Sequence, residues 1–257
     1  MTRLISGVAM AAVALAAIRF LPVPALRVLA CGVAMLAGHE FARITGSASA
    51  MARALVVGGA AVVCWWVSIN PPFAAVAAML ALLLVVAVSV LALDKGPQGA
   101  AMAAVSPAYL GMPLGMLVAV HAWRGWRATV LLVAAVVVSD SAQYYTGRLF
   151  GRRPLAPAIS PKKTVEGAVG GVVFGTAFMA MAGAWAVPDA LPGQLALVGA
   201  GIVVFGICGD LFESRLKRAA GIKDSSSLIP GHGGILDRID ALLFAVPVFY
   251  LFLWDLA

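Results

Sequence analysis

Three short segments in the second half of the chain hold most of the side chains that could do chemistry. The first begins Asp140-Ser141-Ala142-Gln143-Tyr144-Tyr145-Thr146-Gly147-Arg148. It continues through Arg152 and Arg153 to Ser160-Pro161-Lys162-Lys163-Thr164-Val165-Glu166-Gly167. On a helix, Asp140, Tyr144, Gly147 and Arg148 fall on roughly one face. Thr164 is placed to cap the helix that follows. The second segment is Gly209-Asp210-Leu211-Phe212-Glu213-Ser214-Arg215-Leu216-Lys217-Arg218. Here Asp210, Glu213, Ser214, Lys217 and Arg218 share one broad helical face. The third runs from Lys223-Asp224 through Pro230-Gly231-His232-Gly233-Gly234 to Asp237-Arg238-Ile239-Asp240. Its glycines let backbone approach a phosphate closely.

Each segment also has an ordinary reading. The basic loop could be an anchor on anionic lipid heads. Glu213 and Lys217 could be a simple i,i+4 pair. Asp237 could be a dipole partner at a helix start, the Gly pair a turn, and His232 a loop histidine. None of these explains Asp140 and Asp210, which lie in otherwise apolar runs. An ionisable group there costs a few kcal/mol or more, which makes it a functional candidate. Carboxylates with Lys and Arg beside a Gly turn are what a magnesium–polyphosphate site requires. Mg²⁺ takes one or two carboxylates and fills its shell with water and phosphate oxygens. Lys and Arg neutralise the remaining phosphate charge. No GxxxxGK[ST] pattern occurs, which excludes a P-loop NTPase.

The elements that carry these segments follow from composition. Of 257 residues, 63% are hydrophobic and only 11% charged, with a mean hydropathy of +1.01. A soluble domain carries about 25% charged residues. The chain is therefore an all-α, polytopic integral membrane protein. A bilayer needs about 20 apolar residues per helix. Nine stretches qualify: 4–20, 25–45, 51–69, 71–93, 99–121, 127–150, 164–187, 192–219 and 236–256. The first could instead be a signal peptide, but it lacks a clear small-residue cleavage site and runs into Arg19. All nine spans form one membrane domain over 1–257. Residues 1–125, whose only acids are Glu40 and Asp94, read as scaffold, and 127–257 as the catalytic half. Cys31, Cys64 and Cys208 lie in apolar stretches and read as small buried hydrophobes.

With the N-terminus in the cytoplasm, 14 of the 18 Lys and Arg fall inside. Only Arg19, Arg27, Arg124 and Arg127 fall outside, as the positive-inside rule asks. The expected location is the inner membrane, with the chemistry facing the cytoplasm.

The stretch Ser214 to Asp240 resembles the signature of the phosphatidate cytidylyltransferase (CDP-diacylglycerol synthase) family. Ser214, Lys217, Arg218, Lys223, Asp224, Pro230, His232, Gly233, Gly234, Asp237, Arg238 and Asp240 match its fixed positions. Asp140, Tyr144, Gly147-Arg148 and Ser160 to Gly167 are also similar to that family. Gln143 departs from it, standing where a small residue is expected. The resemblance covers about 135–245; the first 130 residues match only as apolar spans.

The resemblance implies that CTP and phosphatidate give CDP-diacylglycerol and pyrophosphate in phospholipid biosynthesis. It implies Mg²⁺ held by Asp210 and Asp237, with or without a second cation such as K⁺. It makes Asp210, Asp237, Lys217, Arg218, Asp240, Glu213 and Ser214 the catalytic candidates. Asp140, Tyr144, Arg148, Lys162, Lys163, Thr164, Glu166, Lys223, Asp224, His232, Gly233, Gly234 and Arg238 are the substrate-binding candidates. It suggests a homodimer in membrane lipid and no nucleic-acid partner. Other readings stay open: a cytidylyltransferase for another lipid phosphate, a cation or proton relay through Asp140 and Asp210, or a structural scaffold.

Overall fold

The structure is a computed structural model that describes residues 2–46, 50–69, 102, 105–229, 231 and 233–256. The side chains of the first six residues lie outside that description, as does the expected span 71–93. Helices α1 (Thr2–Phe20), α2 (Val23–Ile44) and α3 (Ala50–Ile69) come first. A π-helical turn (Pro107–Gly111) leads into α4 (Met112–Phe150). A hairpin of β1 (Pro154–Ala156) and β2 (Ser160–Thr164) precedes α5 (Val165–Ala182). Helices α6 (Pro192–Ala219) and α7 (Leu236–Asp255) complete the bundle.

Helix boundaries follow local chemistry. Pro22 precedes α2 and Pro24 sits in its first turn, where the missing N–H costs nothing. The Gln194 side chain reaches back to accept from Leu191 N at 2.9 Å and starts α6. The 39 residues of α4 contain a break at Gly125, whose φ is +78°. His121 Nδ1 and Thr129 Oγ1 lie 3.3 Å apart across it. Eight residues of straight helix would rise about 12 Å, so the chain turns sharply there. Thus the expected spans 99–121 and 127–150 become two arms of one element, hinged at Gly125.

Among the described residues, five helices are long and apolar enough to cross a bilayer: α2, α3, the Pro107–Phe150 stretch, α5 with its final turn, and α6. That establishes a multi-pass, all-α membrane protein; the described residues do not confirm the count of nine. Helix α7 carries Asp237, Arg238 and Asp240 within its first five residues, and the described part of α1, Gly7–Phe20, is a shorter apolar helix. The strands are an addition to the expected all-α picture. Pro154 pairs with Thr164 and Ala156 with Ser160 where a plain basic loop was expected.

Two features orient the bundle. Helix α3 and the first arm of α4 run parallel. A Cβ on Gly111 would come within 2.4 Å of Ala60 O, and one on Gly115 within 2.6 Å of Cys64 O. Aromatic packing then ties the helices together where the Pro107–Phe150 stretch begins. Fully buried Tyr109 meets Phe41, Phe212 and Phe244 at ring distances of 5.4, 5.3 and 6.1 Å. Phe41 and Phe212 adjoin Glu40 and Glu213 in sequence, so this cluster fixes the helix ends that carry acids.

Candidate active site

A cleft of about 390 Å³ opens where the end of α4, the hairpin and the start of α5 meet α6. Asp140, Tyr144 and Arg148 line it from α4, Lys162, Lys163 and Thr164 from β2, and Asp210 from α6. The face expected on α4 is the face that looks into this cleft. Thr164 caps α5, its Oγ1 accepting from Gly167 N at 3.1 Å. Gln143, the departure from the family pattern, fits because Gly171 stands opposite. A Cβ on Gly171 would come within 2.4 Å of Gln143 Cγ. Gln143 Nε2 donates to Asp140 Oδ1 at 3.1 Å and to Ser139 Oγ at 3.2 Å, which orients the Asp140 carboxylate.

Each expected metal carboxylate carries a lysine. Lys163 Nζ pairs with Asp210 Oδ2, and Ser214 Oγ donates to Asp210 Oδ1 at 3.2 Å. Lys217 lies between two acids: it pairs with fully buried Glu213 and donates to Asp237 Oδ1 at 2.6 Å. The i,i+4 pair of Glu213 and Lys217 is therefore present and extends into a three-membered network. Asp140, Asp210 and Asp240 lie close enough for their charges to repel one another. Such an acid cluster draws cations, and the two lysines supply part of that charge.

The Gly-rich loop is held from an unexpected side. Asp237 Oδ2 accepts from Ser225 N at 2.9 Å, Ser225 Oγ at 2.8 Å and Gly234 N at 2.7 Å. Glu40, almost fully buried on α2, holds the other side. Its Oε2 accepts from Leu236 N at 2.8 Å and Ser225 Oγ lies 2.9 Å away. Its Oε1 accepts from Ile235 N at 3.1 Å and Ser226 Oγ at 2.7 Å. Glu40 thus satisfies two orphan N–H groups at the start of α7. A Cβ on Gly234 would lie 2.4 Å from the Glu40 carboxylate, so only glycine permits this approach. The motif reading missed Glu40. The available signal was a lone acid near the end of an apolar span.

The remaining candidates scatter around this frame. Glu166 Oε2 accepts from Arg152 N at 3.0 Å and Arg153 N at 3.2 Å, so it organises the hairpin. Arg218 Nε donates to Ile159 O at 3.3 Å and Nη1 to Ile222 O at 3.1 Å, which ties α6 to the hairpin. Arg148 Nη1 donates to Tyr144 Oη at 3.3 Å. Lys162, Lys223, Asp224 and Arg238 are exposed, and Asp240 accepts from the N–H of Ala241. Gly233 adopts φ +81° in the turn closed by Ile229 N donating to Gly233 O at 2.9 Å. His232 and Pro230 lie outside the described residues.

The donor set fits a hard cation. It consists of carboxylate oxygens with no soft ligands, and Mg²⁺ needs only one or two of them beside phosphate. Among the described residues no three His, Cys, Asp or Glu converge as an all-protein metal cluster. Asp210 and Asp140 share the cleft and Asp237 stands beside it; Asp210 and Asp237 each have both oxygens engaged by protein donors.

A multi-pass helical bundle with a polar, acid-and-base cleft at one end defines a membrane-embedded class of protein. The chain belongs to the cytidylyltransferase family, whose model matches residues 1–256. The match therefore extends through the amino-terminal helices, beyond the 135–245 of the recognisable motifs. A phosphatidate cytidylyltransferase of Pseudomonas aeruginosa is 44% identical over 156 residues, covering 56% of this chain and 57% of that protein. Its counterpart in Aquifex aeolicus is 43% identical over 122 residues, covering 48% of this chain and 45% of that protein. That of Bacillus subtilis is 40% identical over 150 residues, covering 56% and 55%. The chain spans about half the length of the curated relatives it matches.

Proposed function

We propose that this protein transfers CMP from CTP to phosphatidate, giving CDP-diacylglycerol and pyrophosphate. The observation that carries the reading is the cleft that brings Lys162 and Lys163 of β2, Arg148 of α4 and Asp210 of α6 together at one end of a membrane bundle. A polyanion from the aqueous side meets cations there, and a lipid acceptor reaches the same place from the bilayer. The relatives named above are phosphatidate cytidylyltransferases by name, which supports the same assignment.

The phosphatidate oxygen attacks the α-phosphorus of CTP in line, and the bond to pyrophosphate breaks. That oxygen is already ionised near neutral pH, as its second pKa near 6 requires, so no general base is needed. Lys162, Lys163 and Arg148 neutralise triphosphate oxygens and hold the α-phosphorus in place. Asp210, with Asp237 at the neighbouring helix start, would hold Mg²⁺, which supplies charge neutralisation on the triphosphate. Asp237 and Glu40 keep the Gly-rich loop in register with Lys217. The cytoplasm is the compartment that holds CTP, and the cleft belongs on that face of the inner membrane.

A proton or cation relay asks for acids free of basic partners. Of the two relay acids, Asp210 is paired with Lys163, and Asp140 lines the same cleft as Lys162, Lys163 and Arg148. The test is purified protein in detergent with labelled CTP and a panel of lipid phosphates, followed by lipid extraction. Label entering the lipid phase with phosphatidate is the expected result. Label entering only with an ether-linked or other lipid phosphate would transfer the assignment to that acceptor.

A further inference from the structure

A second cavity, of about 330 Å³, lies between α1, α2, both arms of α4 and α7. Its size is within the range of ligand sites, roughly 300–1,000 Å³. Its walls are almost wholly apolar: Ala17 of α1, Ala30 and Val33 of α2, Leu117 of α4 and Leu242 of α7. Three residues break that character, and they sit in telling places. His121 and Thr129, hydrogen-bonded to each other, line it beside the α4 break. Arg238 lines it at the start of α7. Arg238 is exposed, follows Asp237 directly, and lies within electrostatic range of Asp140 in the catalytic cleft. One guanidinium therefore stands at the head of the apolar groove, on the residue that follows the loop-holding Asp237.

An amphiphile with an anionic head and a hydrocarbon tail is the ligand that such a junction matches. The guanidinium fork recognises phosphate oxygens in pairs, and the groove removes tail methylenes from competing surroundings through close packing. We propose that this groove seats one acyl chain of the phosphatidate acceptor, with Arg238 holding the lipid phosphate at its mouth. The proposal rests on the phosphatidate reading above. It adds that α1 and α2, far from the motif in sequence, select the lipid. It also places the acceptor phosphate on the α7 side of the cleft, opposite the triphosphate on β2.

Two experiments test it, and the first needs no turnover. Phosphatidate bearing a diazirine on its tail is photolysed with the full-length protein, and labelled peptides are mapped. Labels should fall on residues 14–18 and 114–121, and excess unlabelled phosphatidate should remove them at least tenfold better than phosphatidylcholine. Labels confined to the outer surface, such as the region of Met35, would overturn the groove. Equal competition by phosphatidylcholine would make it a site for structural lipid and overturn the substrate assignment. The second experiment compares KM for long-chain and dihexanoyl phosphatidate. Ala30→Phe should raise the long-to-short KM ratio at least tenfold, whereas Met35→Phe, on the exposed side of α2, should leave it unchanged. Arg238→Gln should raise KM for both lipids at least tenfold and leave KM for CTP within twofold. An Ala30→Phe enzyme with an unaltered ratio, or an Arg238→Gln enzyme with unaltered lipid KM, would refute the assignment. If the wild type used no phosphatidate while labelling still followed the expected pattern, the catalytic reading would fall and the lipid site would stand.

Discussion

Lys163 and Asp210 meet across the cleft from a strand and a helix 47 residues apart. Removing the lysine deletes a charge-assisted phosphate contact and leaves Asp210 without its ammonium. Lys163→Ala should therefore cost roughly 1.5–3 kcal/mol in transition-state binding, about a tenfold to hundredfold loss at limiting CTP. Full activity in that variant would return the basic loop to the role of a lipid-head anchor. Asn keeps the shape of Asp and removes its charge. Asp210→Asn and Asp237→Asn should insert normally yet lose activity by orders of magnitude, and the wild type should stop in chelator and recover with Mg²⁺ or Mn²⁺. Were these acids only helix-end partners, Asn would cost about 1 kcal/mol of stability and little rate. Near-normal turnover in Asp237→Asn, with unchanged magnesium dependence, would refute its metal role. The motif made most of these side chains legible, because acids in apolar runs stand out. Glu40 was not legible. A single acid between His39 and Phe41 near a span end looks like interfacial punctuation, and its four partners lie about 190 residues away.

The loop from Lys223 to Ile235 shows how one element borrows order from another. Among its described residues there is no helix or paired strand beyond the Ile229–Gly233 bridge, and Asp237 and Glu40 hold its backbone. Glu40→Ala would strand the N–H groups of Ile235 and Leu236 in a buried setting, at about 1–3 kcal/mol each. We expect a lowered thermal midpoint in detergent together with a loss of rate. A variant that kept both would mean that water takes over the Glu40 contacts. Element existence was readable from apolar run length, and α6 begins and ends at the residues expected, Pro192 and Ala219. The hairpin at 154–164 was not readable. Ser160-Pro161-Lys162-Lys163-Thr164 has no apolar alternation, and its pairing depends on packing against α5 and α6. The hinge at Gly125 was readable only as a polar gap, since glycine is equally a packing residue in membrane helices.

Across the whole bundle, the two ends differ in chemistry. The four arginines that the charge count put outside each stack on tryptophan. Arg19 lies over Trp126 at 4.8 Å, Arg27 over Trp65 at 5.3 Å, Arg124 over Trp123 at 4.8 Å and Arg127 over Trp185 at 5.5 Å. Tryptophan with arginine is the composition of a membrane interface belt. The cleft, the hairpin and the Gly-rich loop gather at the opposite helix ends. From the positive-inside rule we expect the cleft end to face the cytoplasm. In a cysteine-free background, Ala158→Cys and Ser227→Cys should resist an impermeant thiol reagent in intact cells and react after permeabilisation. Labelling in intact cells would invert the orientation. The reaction itself is tested most directly by following two phosphates of CTP separately. CTP labelled in its α-phosphate should pass label into the lipid phase, dependent on phosphatidate and equimolar with released pyrophosphate. CTP labelled in its γ-phosphate should leave all its label in water as pyrophosphate. Lipid labelled from the γ-phosphate, or no lipid label from the α-phosphate with an intact, Mg²⁺-supplied protein, would contradict cytidylyl transfer.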